Sequence, residues 1–147
     1  MEPGASGPLP GTEYRVLSVQ PPWAWSIMFA GKDIENRSWK TPFRGRFLIH
    51  ASSKKFTGEK LRLAREEIAQ KSGKELQSIP HEFPRSQILG SVELVDIVTK
   101  HRSPWTYPDE MYWVLRDPLL FDEPVRNIDG KLNLWRWTSK PARTPKR

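Results

Sequence analysis

A chain of 147 residues with 37% hydrophobic and 28% charged side chains is sized for one domain around a single core. No run approaches the roughly 18 apolar residues of a membrane helix, and the N-terminus lacks the basic and apolar regions of a secretory signal, so a cytoplasmic location without membrane attachment is expected. The absence of cysteine excludes disulfides, thiolate nucleophiles and cysteine-ligated zinc. The net charge of +7 is unevenly spread: residues 32–65 hold ten bases against three acids, whereas residues 66–147 hold thirteen against twelve. Lys32, Arg37, Lys40, Arg44, Arg46, Lys54, Lys55, Lys60, Arg62 and Arg65 carry the excess. That is the footprint of a polyanion-binding surface, although a merely solubilising surface has the same charge.

Residues 1–12, rich in Gly and Pro, and residues 139–147, with four bases and two prolines, read as disordered tails flanking one domain over 13–138. Tyr14–Val19 alternates as a strand. Pro22 suits a first helical position, which predicts a short helix over Trp23–Ala30, ended by Gly31, with Trp23, Ile27 and Ala30 toward the core. Strands follow at Ile34–Trp39 and, after a break over Pro42–Gly45, at Arg46–Ala51, where Phe47, Ile49 and Ala51 share a face. Thr57 is placed to cap a helix running to Ser72 or Gly73, with Leu61, Ala64 and Ile68 buried. Glu75–Gln87, with its two prolines, reads as a long loop. Ile88–Val98 is a long central strand, followed by Tyr112–Arg116, Leu119–Val125 and Asn133–Trp137, with turns at Asp117–Pro118 and Asp129–Gly130. Six or seven short strands with two early helices predict an α+β fold, a small mixed or antiparallel barrel rather than a doubly wound sheet.

Most catalytic frameworks are missing. There is no phosphate-binding glycine loop, no G-x-S-x-G elbow, and no ligand-spaced pair among His50, His81 and His101, so no cofactor is expected and the sequence supports no metal site. The concentrated feature is Gly31–Trp39, GKDIENRSW. On a strand, Asp33, Glu35, Arg37 and Trp39 point one way, with Lys32 at the helix–strand corner. A lysine beside a carboxylate can exchange a proton with it or hold a phosphate next to a fixed acceptor. The plainer reading is a surface ion-pair ladder worth under about 1 kcal/mol per pair. Of the seven tryptophans, most suit core filling. Trp25 and Trp39, beside polar residues in the basic half, suit stacking on an unpaired base.

Leu17–Ala24 (LSVQPPWA), Gly31–Trp39, Gly45–Ser52 (GRFLIHAS), Leu89–Ile97 (LGSVELVDI) and Trp113–Pro118 (WVLRDP) together resemble the ASCH family, the activating signal cointegrator homology domains, with a doubled proline at Pro21–Pro22 as the departure. The resemblance implies a PUA-like β-barrel with flanking helices beside a basic cleft and a role with RNA or a modified nucleoside. In that cleft the family's GxKxxExR-like motif falls on Lys32, Glu35 and Arg37; Gln20, Trp23 and Ser52 belong to neighbouring matched blocks, and Lys40, Arg44, Lys54 and Lys55 to the basic window around it. Some family members are similar to an amidohydrolase acting on acetylated cytidine, and others to ribonucleases stimulated by metal. For such chemistry Lys32, Glu35 and an inward-turned Glu93 are the catalytic candidates, although Glu35 stands where the amidohydrolase has a nucleophilic threonine. Three readings follow: a monomeric binding domain for RNA or a modified nucleobase, a hydrolase acting on a nucleoside or RNA, and a module for a protein partner.

Overall fold

A computed structural model describes residues 2–141. The chain forms β1 (Glu13–Val19), α1 (Pro21–Phe29), β2 (Ile34–Arg37), β3 (Gly45–Ala51), α2 (Gly58–Ser72), a single 3-10 turn (Leu76–Ser78), β4 (Gln87–Val98), β5 (Met111–Val125) and β6 (Leu134–Thr138). The six strands make one mixed sheet in the order β2-β5-β4-β3-β1-β6, parallel at β1–β3 and antiparallel elsewhere. β2 and β1 lie four strand spacings apart in that order, about 19 Å in a flat sheet. Yet Arg37 of β2 donates to the Ser18 carbonyl of β1 at 2.9 Å, so the sheet must curl into a half-barrel. This is the α+β barrel-like architecture that strand number and spacing predict.

Period-two alternation builds the core. Leu17 and Val19 of β1, Phe47, Ile49 and Ala51 of β3, Val92 and Leu94 of β4 and Trp113 of β5 are buried in one cluster with Ala24 and Ile27 of α1. The opposite face gathers Tyr14, Val16, Leu48, Ile88, Phe121 and Trp135. A third cluster joins Ile34, Ile68, Ile79, Phe83, Trp105 and Tyr112 between the helices and the loops around them. Each large apolar side chain fully withdrawn from water contributes roughly 1.5–3 kcal/mol. Both Pro21 and Pro22 fall in the first turn of α1, where a missing amide hydrogen loses no helical bond; the helix therefore starts one residue before Pro22 and Trp23 keeps its place. α2 ends at Gly73 in the left-handed conformation (φ 76°), as its position after the last helical turn predicts.

Several elements depart from the sequence expectation. Tyr112–Arg116 and Leu119–Val125 are one strand, β5: Asp117–Pro118 is not a turn but part of an irregularity, with Asp117 at φ 53° and one residue more on β5 than on β4 between the pairs Glu93–Arg116 and Ser91–Leu119. A further shift between Leu94 and Asp96 resets the alternation of β4, so Ile97 packs with the same cluster as Leu94 and Val95 is exposed. β2 stops at Arg37 rather than Trp39. The Glu75–Gln87 loop buries Ile79 and Phe83 and is organised by the buried Arg65, whose guanidinium donates to the carbonyls of Leu76, Ile79 and Pro80 at 3.0–3.3 Å. Residues 2–12, expected as a tail, instead lie against the sheet: Asp122 N donates to the Ala5 carbonyl at 2.7 Å, Leu9 N to the Tyr14 hydroxyl at 2.8 Å, and Gly11 and Thr12 are tied to Lys140 and Ser139. The remainder of the expected C-terminal tail, 142–147, lies outside the described residues.

At Gly90 β5 lies too close to β4 for a side chain, since a Cβ there would sit 2.3 Å from the Leu119 carbonyl oxygen and 3.0 Å from the Met28 sulfur. Gly90→Ala is therefore predicted to destabilise by about 1–3 kcal/mol through overpacking. In urea unfolding the midpoint should fall with the slope unchanged; a variant as stable as the parent would mean that the two strands separate freely.

Candidate functional site

A cleft of about 290 Å³ opens where β1 ends and β2 crosses it, lined by Ser18, Val19, Gln20, Trp23, Lys32, Glu35, Asn36, Arg37, Tyr107 and Glu110. Three charged side chains make its floor. Glu35 Oε2 accepts from Arg37 Nε at 2.8 Å and stands 2.7 Å from an Arg37 terminal nitrogen, while Glu35 Oε1 lies 3.6 Å from Lys32 Nζ. Lys32 and Glu35 are only 5% and 6% exposed, so this is a buried ion triad and not the surface ladder. Lys32 Nζ also donates to the Ile34 carbonyl and faces the Trp105 ring at 5.8 Å. Burial holds the Lys32 pKa below the ordinary lysine value, an effect opposed by the Glu35 charge and reinforced by the Lys71 charge.

The motif around these residues works position by position. Asp33 pairs with the Ser103 hydroxyl, Ile34 enters the core with no exposed surface, and Asn36 pins the loop before β5 from both ends of its amide. Its Nδ2 donates to the Trp105 carbonyl at 2.9 Å and its Oδ1 accepts from Tyr107 N at 2.9 Å. The loop in turn brings Tyr107 and Glu110 to the cleft. The Tyr107 hydroxyl donates to Glu67 of α2, which also pairs with Lys71 at 3.0 Å, and the Lys71 ammonium lies 4.3 Å from the Tyr107 ring centroid. Burial, followed by the hydrogen bond and charge of Glu67, pushes the Tyr107 phenol well above its usual range.

Of the residues singled out from the sequence, Lys32, Glu35, Arg37, Gln20 and Trp23 meet in this cleft; the others do not line it. Trp39, beyond the end of β2, packs edge-on against Trp113 with ring centroids 4.8 Å apart, so Glu35 and Arg37 alone keep the expected common face. Trp25 stacks on Phe29 and meets Phe83. Glu93 is on β4, where Arg116 of β5 pairs with it at 2.9 Å, and so brings no second carboxylate. Arg44 donates to the Thr41 and Phe43 carbonyls, Lys40 is exposed, and Ser52 ties β3 to β1 through its amide. Lys54 and Lys55 line a different hollow. Sequence reasoning missed Asn36 as a loop anchor, and missed Tyr107 and Glu110; the crowding of aromatic and polar residues in Ser103–Glu110 (SPWTYPDE) was the available signal. Among the described residues no three His, Asp or Glu side chains converge to hold a metal ion, and no helix is long and apolar enough to cross a membrane.

A curled mixed sheet with two helices and a charged cleft at its open seam defines a small barrel-like domain of the PUA-like kind. A family model described as the ASCH domain matches residues 17–123, and the chain belongs to that family. It is similar to human "Activating signal cointegrator 1", 33% identical over 133 residues that cover 84% of this chain and 22% of that protein, and to its mouse counterpart at 26% identity over the same shares. The chain thus spans about a fifth of the length of these relatives.

The triad ties stability to pH with a definite sign. Because the folded-state pKa of Lys32 is lowered, the unfolded chain binds more protons between that value and the ordinary lysine value, and stability rises with pH across that window. Glu35→Gln removes the counter-charge and widens the window downward. It is expected to lose about 3–5 kcal/mol at neutral pH, roughly 6–20 °C in Tm, and to regain part of this as pH approaches 10. Thermal unfolding across that pH range checks this; a loss that grows with pH relative to the parent contradicts it.

Proposed function

We propose that the cleft binds an unpaired nucleobase of RNA or a modified nucleoside, with Trp23 as the stacking surface and Arg37 as the cationic contact. The observation that carries this reading is the triad itself: a guanidinium fixed by Glu35 and the Ser18 carbonyl, still 24% exposed in its side chain, at the floor of a cleft with a partly buried indole on its wall. The volume of about 290 Å³ lies at the small end of ligand sites, which suits one base better than a stack. Stacking on an aromatic ring beside a cation is how single strands are held. Glu110 and Gln20 add an acceptor and an amide for a base edge, and among the described residues Glu110 makes no ion pair. Membership of the ASCH family supports a nucleic-acid role. Commitment of both Glu35 oxygens to Lys32 and Arg37 favours binding over proton transfer, and so over the hydrolase alternative.

The test is fluorescence anisotropy with a short single-stranded RNA of mixed sequence, in parallel with a panel of modified nucleosides. Removing the stacking ring with Trp23→Ala is expected to weaken RNA binding by roughly 5- to 150-fold, the range of about 1–3 kcal/mol per stacked base. Arg37→Ala should also weaken it and flatten its salt dependence, whereas Arg44→Ala should leave both unchanged. Undiminished affinity in Trp23→Ala and Arg37→Ala, with both variants folded, would rule the cleft out as the binding site.

A further inference from the structure

The basic excess of residues 32–65 divides on folding. Lys32 and Arg37 sit in the cleft, Arg65 binds loop carbonyls, and Arg44, Arg46 and Arg62 each have a carboxylate within 4 Å. Besides the exposed Lys40, Lys54, Lys55 and Lys60 are left: among the described residues none of these three, nor Arg85, makes an ion pair. They gather around a second hollow of about 210 Å³, whose lining includes Lys54, Lys55, Phe56, Arg85 and a single acid, Glu82. The Lys54 and Lys60 ammonium groups both lie within 6 Å of the Phe56 ring centroid, at 5.7 and 5.8 Å. Their closeness depresses the Lys54 pKa, chiefly through the Lys60 amine itself and then its charge. Two like charges converging on one ring, without a carboxylate between them, form an arrangement that an anion relieves.

The position of this hollow suggests which anion. Gln20 lines the cleft and Pro21, the next residue, lines the second hollow, so the β1–α1 junction is a wall common to both. A strand whose base enters the cleft can cross this junction and bring its backbone to the lysines. We propose that Lys54 and Lys60 form a phosphate subsite for the backbone of a single-stranded RNA whose base occupies the cleft. This assignment rests on the binding role proposed for the cleft and extends it from one base to a strand path. Arg85, whose guanidinium donates to the Ser53 carbonyl at 3.2 Å, supplies a third cation on the same rim.

The experiment compares the full chain with Lys54→Gln/Lys60→Gln and with Lys100→Gln/Lys140→Gln, which removes two charges elsewhere. The probes are a fluorescein-labelled ten-nucleotide RNA titrated at several salt concentrations, and free nucleosides and inorganic phosphate followed by protein NMR. The subsite predicts that Lys54→Gln/Lys60→Gln weakens RNA binding about tenfold in low salt and reduces the salt slope by roughly 0.7–1.4, the release expected for one or two phosphate contacts on a single strand. The control pair keeps the parent slope, and nucleoside shifts at the Trp23 indole are the same in all three proteins. If the slope of Lys54→Gln/Lys60→Gln equals the parent's, or both double variants lower it equally, the subsite is overturned while the cleft reading stands. If the parent shows no Trp23 shift yet the lysine variant still loses RNA affinity, the cleft reading fails and the strand path with it. Binding of inorganic phosphate at the lysines as tight as that of RNA would overturn the backbone assignment in favour of a free-anion site.

Discussion

The structure depends on one carboxylate. Glu35 sits between a buried ammonium and a guanidinium, and the guanidinium continues to a main-chain carbonyl on β1. Without such a connection nothing in the strand ladder joins β2 to β1, because the two lie at the first and fifth places of the sheet order. A buried ion pair is a poor way to gain stability, since desolvating each charge costs several kcal/mol and the mutual attraction offsets that only with good geometry. An apolar contact would close the barrel as well. The charges are better explained by what they leave at the surface: an arginine held rigid, partly solvated and turned toward a cleft, with its entropy already lost before any ligand arrives.

Around that carboxylate the GKDIENR stretch builds outward. Asp33 and Asn36 fix the loop that carries Trp105 and Tyr107, and this loop shields Lys32 from water through the Trp105 ring. Glu67 and Lys71 of α2 hold Tyr107 from the other side. The cleft is thus assembled from β1, α1, β2 and the loop before β5, with α2 bracing that loop, and no single element defines it.

Much of this is legible in the amino-acid order. The apolar alternation of β1 and β3, the proline-led start of α1 and the Gly73 stop of α2 each have a local physical cause, and each appears where that cause places it. What is not legible is phase and distance. The irregularities in β4 and β5 depend on how the two strands pair, so Asp117–Pro118 looks like a turn until its partner Ser91–Glu93 is in view. Likewise, a strand extended on paper to Trp39 gives four side chains on one face, but the real strand ends two residues earlier and Trp39 turns into the core. Tyr107 and Glu110 lie some seventy residues from the motif they complete, and only tertiary contacts bring them to it. Charge counting located a basic window of sequence but not its division between a buried triad, carbonyl-binding arginines and a separate lysine cluster.

The central claim is that the cleft offers an unpaired base Arg37, held by the triad, and Trp23 on its wall. The most direct measurement is a titration of the uniformly nitrogen-15-labelled chain with a short single-stranded RNA, following the indole and arginine side-chain resonances. The account predicts that the Trp23 indole and the Arg37 Nε signals move together and saturate with the same affinity, while the Trp113 indole, buried in the core, stays in place. Saturable binding that leaves Trp23 and Arg37 unmoved would contradict it.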